Sequence, residues 1–188
     1  MAQARMRAAD GYDRLLITVD MLEAMVASGT IEDPTRIELI EGELVTMSPT
    51  HLPHARLTAK LLRHIGNILG AGHEVFDGVS VRLDDLNEPV PDVCIAKGGL
   101  TALVLTPADC ALVIEVSDAT ARKDRLLKAP LYGKAGIPEL WIVDLITLET
   151  VVHRGPSEMG WNEIFSVPFT NQLSAQFDSK ISLTINAL

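Results

Sequence analysis

The chain has almost no cysteine. Cys94 and Cys110 stand alone, neither in a CxxC pair, so nothing supports a disulfide framework or a thiolate zinc site, and two reduced, partly buried thiols are expected. No apolar run approaches the ~20 residues needed to cross a bilayer. The opening MAQARMRAADGYDRLL has neither the apolar stretch nor the cleavage site of a secretory leader. A cytoplasmic protein without a membrane segment is therefore expected. Basic residues are also scarce: 16 Lys plus Arg against 25 Asp plus Glu leave a net charge of −9, and such a surface as a whole repels phosphate backbones. There is no internal repeat and no low-complexity tract, which argues against a repeat array.

What is present reads as one domain spanning 1–188. With 47% hydrophobic and 22% charged residues the chain can build a packed core, and 188 residues is ordinary domain size. Residues 1–14 show little apolar periodicity and are expected to be flexible. TVDMLEAMVASG predicts a short helix capped by Thr18, with Asp20 in its first turn and Gly29 as its stop. RIELIEGELVTM predicts a β-hairpin turning at Glu41-Gly42, with Glu38 opposite Val45 and Ile40 opposite Glu43. Glu38 and Glu43 then share a face, whose default reading is a solvated edge. HARLTAKLLRHIGNIL is the clearest helix, with Leu57, Leu61, Ile65 and Ile68 on one stripe and His54 on the same side, pointing inward.

HEVFDGVSVRL predicts strand, turn and strand, with the turn at Asp77-Gly78. PVPDVCIA, ALVIEVSD and ELWIVDLI predict buried strands, and a helix from about 119 to 135 precedes Gly136-Ile137-Pro138. Helix, hairpin, helix, several strands, helix and strand make an α/β fold, most economically a central mixed sheet with helices packed on it.

Glu115 is the anomaly. A carboxylate inside LVIEVS costs several kcal/mol unless a cation or hydrogen bonds offset it. Asp92, at the head of a neighbouring apolar strand, is the natural second ligand of a metal ion; a structural salt bridge is the alternative. Two hard oxygen donors without a His or Cys cluster favour Mg²⁺ or Mn²⁺ over zinc. Positive charge is concentrated nearby: between Asp118 and Lys134, the cations Arg122, Lys123, Arg125, Lys128 and Lys134 meet only Asp118 and Asp124.

PDV at 91–93, EVS at 115–117, then Asp124, Lys128, Tyr132 and GIPELWIVD at 136–144, with ELIEGEL and His54 upstream, resemble the Uma-two family of putative restriction endonucleases, within the PD-(D/E)xK nuclease superfamily. The resemblance covers most of the chain and implies a restriction-endonuclease-like mixed β-sheet flanked by helices, with the nuclease-like core at about 36–150. It also implies that Asp92 and Glu115 hold a divalent metal, that His54 or Glu38 completes the site, and that the substrate is a DNA phosphodiester. RNA is an alternative substrate, and a homodimer would set two symmetric sites on a duplex.

The superfamily's lysine two positions after the glutamate is replaced by Ser117. Lys128 is expected to supply that cation from the following helix, where Asp124, Lys128 and Tyr132 recur every four residues beside Leu127 and Leu131, which should face the sheet. Pro130 interrupts the helix's hydrogen bonding and would tip Lys128 inward. Two alternatives stand beside this reading: an ordinary exposed Asp124–Lys128 pair, and a non-enzymatic binding or regulatory module on the same fold.

Overall fold

The structure, a computed structural model, describes residues 5–7, 13–47, 49–118 and 122–188, with the backbone alone for 5–7 and 122–126. A short antiparallel ladder comes first, β1 (Arg5–Arg7) against β2 (Asp13–Leu15). Helix α1 (Val19–Ala27) starts where its cap predicts: Thr18 is extended and its hydroxyl oxygen accepts the Met21 N–H at 3.3 Å. Gly29, at φ 71°, follows the helix end.

The hairpin of β3 (Ile37–Ile40) and β4 (Glu43–Thr46) has the expected register, Glu38 opposite Val45 and Ile40 opposite Glu43. Glu41 and Gly42 both take positive φ, 50° and 77°, as a two-residue turn that follows the strand twist requires. The solvated-edge reading holds for Glu43 and fails for Glu38, which is 4% exposed. Leu39 exchanges backbone hydrogen bonds with Glu88, and Leu39 packs with Val19 and Leu22 of α1, so this ribbon lies against the body of the protein.

Helix α2 (Leu52–Ile68) buries Leu57, Thr58, Leu61 and Ile65. The central sheet comprises β5 (His73–Asp77), β6 (Val93–Lys97), β7 (Cys110–Ser117), β8 (Glu139–Asp144), β9 (Glu149–Ser157) and β10 (Gly160–Pro168), and helix α3 (Arg122–Lys134) connects β7 to β8. The spatial order is β10-β9-β8-β7-β6-β5, antiparallel except for the β7–β8 pair. The crossover helix is what lets those two strands run parallel. After β5 the predicted return strand is not formed. Gly78 alone takes positive φ there, so no two-residue hairpin turn closes, and Val81 instead bridges Leu105.

Strand alternation divides the core in two. Val93, Ile95, Leu112, Ile114 and Val116 pack with Leu57, Leu61 and Ile65 of α2, joined by the strands β11 (Leu173–Ser174) and β12 (Ser182–Leu183). Cys94, Val113, Leu140 and Ile142 pack on the other face with Ala129 and Tyr132 of α3. Both cysteines are buried and free.

The predicted sheet-facing side of α3 needs correction. Leu127 is 55% exposed, whereas Lys128, Ala129, Tyr132 and Gly133 are buried. Small residues decide this. Gly133 approaches Gly160 so closely that a Cβ would lie 2.3 Å from the Gly160 carbonyl oxygen, and Trp161 Nε1 donates to the Ala129 carbonyl at 2.7 Å. A leucine side against the sheet would hold the helix away. The basic run loses a member in consequence, since Lys128 is buried, and the side chains of Arg122, Lys123, Asp124 and Arg125 lie outside the described residues.

Candidate active site

Asp92 directly precedes β6. Because Val93 pairs with Ile114 in an antiparallel ladder, continuing the register sets Asp92 beside Glu115. Asp92 Oδ2 accepts the Val116 N–H at 2.7 Å, and His54 Nε2, from the first turn of α2, lies 3.1 Å from the same oxygen. The hydrogen bond to Asp92 raises the His54 pKa above the usual histidine value, against the opposing effect of burial.

Glu115 projects from β7 toward α3 and is 7% exposed. Its Oε1 accepts the Tyr132 hydroxyl at 2.8 Å and lies 3.7 Å from Lys128 Nζ. Burial pushes its carboxyl up to about 7; the Lys128 charge opposes the rise, while Asp92 and Glu38 add to it. Lys128 Nζ donates to Glu38 Oε1 at 2.6 Å, and that oxygen also accepts the Val90 N–H at 2.7 Å. Burial would depress the Lys128 ammonium, but the Glu115 and Glu38 carboxylates outweigh it and hold the group above the usual lysine range.

All five residues singled out from the sequence, Glu38, His54, Asp92, Glu115 and Lys128, therefore belong to one cluster. Ser117 is fully buried and its hydroxyl donates to the Asp118 carbonyl, so it brings no charge. Tyr132 is the residue that sequence reasoning left without a role. Its signal was there, one helical turn beyond Lys128, but a tyrosine at core spacing reads as packing.

Glu139 provides an internal comparison. It too is a carboxylate inside a buried strand, fully buried, yet each of its oxygens has a partner: Oε1 accepts Trp141 Nε1 and Arg154 Nε, and Oε2 accepts the Gln176 N–H. That is a satisfied structural ion pair. Among the described residues the three carboxylates around Glu115 meet one lysine and one histidine, and no hydrogen bond engages Asp92 Oδ1 or Glu115 Oε2. Hard oxygen donors with surplus negative charge fit a divalent cation of the Mg²⁺ or Mn²⁺ kind. No three His, Cys, Asp or Glu side chains among the described residues form a ready-made cation cage, so water or substrate would complete the coordination.

A mixed sheet flanked by helices, with one carboxylate on β7, another just before the adjacent β6 and a lysine over them, defines a restriction-endonuclease-like α/β protein. The chain belongs to the Uma2 (Uma-two) family, described as "Putative restriction endonuclease", whose profile matches residues 20–186. Among solved structures it is similar to "a putative nuclease belonging to DUF820 from Anabaena variabilis ATCC 29413". The TM-score is 0.73 at 18% sequence identity, over 90% of this chain and 96% of that one, a likeness of fold. No curated protein matches. No helix among the described residues is long and apolar enough to cross a membrane.

Proposed function

We propose that the protein is a metal-dependent endonuclease that hydrolyses phosphodiester bonds of DNA, with Mg²⁺ or Mn²⁺ as its ion. The observation that carries this reading is the surplus of carboxylate at Asp92 and Glu115 among the described residues, where three carboxylates face Lys128, which is paired with Glu38, and His54, which is bound to a single Asp92 oxygen. These two residues would hold the ion. Bound there, a divalent cation supplies a nucleophilic water near neutral pH and offsets charge developing on the phosphate.

The chain's own groups set the stage for attack. His54 and the Val116 amide hold Asp92 in place through one oxygen. Lys128 keeps its proton at neutral pH and offers a fixed positive charge beside Glu115, the role that Ser117 cannot fill. Glu38 holds that ammonium over the acidic pair. On the nucleic-acid side, α2 contains no acidic residue and exposes Arg56, Lys60 and Arg63, a local exception in an acidic protein.

A non-enzymatic binding module is the second reading. It is favoured by the buried Lys128–Glu38 contact of 2.6 Å, which commits the ammonium to a structural partner. One assay separates the two readings. Purified protein is incubated with supercoiled, linear and single-stranded DNA and with RNA, in Mg²⁺, Mn²⁺ or EDTA. Metal-dependent nicking that vanishes in Asp92→Ala is the expected result. Equal cleavage by Asp92→Ala or in EDTA refutes the mechanism, and no cleavage of any substrate favours the binding module.

A further inference from the structure

We infer that Tyr132 is a positioning residue for Glu115: its hydroxyl tethers one carboxylate oxygen and leaves the other presented to a divalent cation. This rests on the metal-centre reading above. Tyr132 is fully buried, and its hydroxyl donates to Glu115 Oε1 at 2.8 Å. Lys128 Nζ, at 3.7 Å, is too far from that oxygen to hydrogen-bond it, so among the described residues the phenol is the side-chain donor that fixes Glu115.

A fixed donor matters because the terminal torsion of glutamate is broad and has no steep preferred setting. Asp92 is in a matching state, with Oδ2 tethered by Val116 and His54 and Oδ1 outside those bonds. Among the described residues each member of the acidic pair thus has one oxygen tied to the frame and one without a hydrogen bond. The position of the phenol is itself secured by the seat of α3, where Gly133 meets Gly160 and Trp161 bonds the Ala129 carbonyl. Outer partners of this type hold ligands in the orientation that a metal requires.

The test uses the full chain and Mn²⁺ alone. Tyr132→Phe keeps the ring and removes only the tether. Free Mn²⁺, measured by electron paramagnetic resonance, is expected to show affinity about 10- to 100-fold weaker than in the parent. The relaxation of water protons by bound Mn²⁺ should rise as water takes the place of Glu115. Trp161→Phe is the companion variant, because it removes the Trp161–Ala129 bond that seats α3 without touching Glu115, and its loss of affinity should be clearly smaller than that of Tyr132→Phe. Unchanged affinity and relaxation in Tyr132→Phe would overturn the inference and leave the metal centre standing. Equal losses in both variants would also overturn it, assigning the effect to the seating of the helix. A parent with no saturable Mn²⁺ site would remove the metal-centre reading and this inference together.

Discussion

Lys128 Nζ lies 2.6 Å from Oε1 of Glu38, a contact between residues 90 apart in sequence that joins the N-terminal hairpin to the helix after β7. The hairpin is therefore part of the site's charge balance. Replacing Lys128 with Met keeps volume and removes the ammonium that faces Glu38 and Glu115. Two buried carboxylates are then left without their cation, and breaking such a pair costs about 3–5 kcal/mol. Chemical denaturation at pH 8 should show a loss of this size, shrinking toward pH 5 as the carboxylates take up protons. Turnover should fall on the order of 10²–10³-fold, with Mn²⁺ affinity retained. A Lys128→Met protein with full cleavage activity would leave the binding-module reading as the better one.

Glu115 makes a pH prediction for the metal-free protein. In the fold its carboxyl is pushed up to about 7, burial being the largest cause, against 4.5 ordinarily. As pH rises past about 4.5 the unfolded chain releases this proton while the native state retains it. Native stability from this group therefore falls with rising pH between about 4.5 and about 7, and is constant above. Unfolding midpoints of the parent and of Glu115→Gln, compared in EDTA from pH 4.5 to 8, should show the parent losing ground to the variant across that window. A pH-independent gap would mean that Glu115 ionises as an exposed carboxylate does.

Elements with local causes were legible in the sequence. Thr18 and Gly29 bound α1, Glu41-Gly42 turns the first hairpin, and apolar runs mark β6, β7 and β8. The candidate site was legible where one residue broke a pattern, as Glu115 does in β7. Pairings across long separations were not. Glu38 is buried because Val90, 52 residues away, and Lys128 come to it, and nothing in RIELIEGELVTM shows this. Glu139 looks like Glu115 in one dimension, and only Arg154, Trp141 and Gln176 reveal it as structural. Leucine spacing points to the wrong buried side of α3, because the approach of Gly133 to Gly160 that decides it leaves no trace in the sequence pattern.

That approach yields its own prediction. In Gly133→Ala the new methyl would lie 2.3 Å from a backbone oxygen, which cannot swing aside as a side chain can. Overpacking of this type costs about 1–3 kcal/mol, and here it also lifts the helix that carries Lys128 and Tyr132. The expected outcome is a lower denaturation midpoint together with weakened Mn²⁺ binding. Gly70→Ala is the comparison, since a Cβ at Gly70 meets nothing within 4 Å, and it should be neutral or slightly stabilising. Equal midpoints for the two variants would show that α3 tolerates displacement.

The last prediction concerns the DNA binding that the proposed function requires of an acidic protein. A net charge of −9 denies it a broad electrostatic foothold, so binding should be weak and steeply salt-dependent. Arg56, Lys60 and Arg63 recur at intervals of four and three and are exposed on the side of α2 away from the buried Leu57, Leu61 and Ile65. At 1.5 Å rise per residue they span roughly 10 Å of helix, comparable to the axial reach of about three phosphates of one strand. Arg56 is two residues beyond His54, so a backbone following the stripe is led to the end of α2 that meets Asp92. Replacing all three with Gln should weaken binding of a labelled duplex in the absence of divalent metal. It should also lower the steepness of the log affinity against log salt plot by about 2–3, at roughly 0.9 for each phosphate no longer neutralised. Lys180→Gln, an exposed cation in a turn near the C-terminus, should change neither quantity. If the triple variant keeps both affinity and slope while Lys134→Gln loses them, the phosphate contact belongs to α3, and α2 serves only to bring His54 to Asp92.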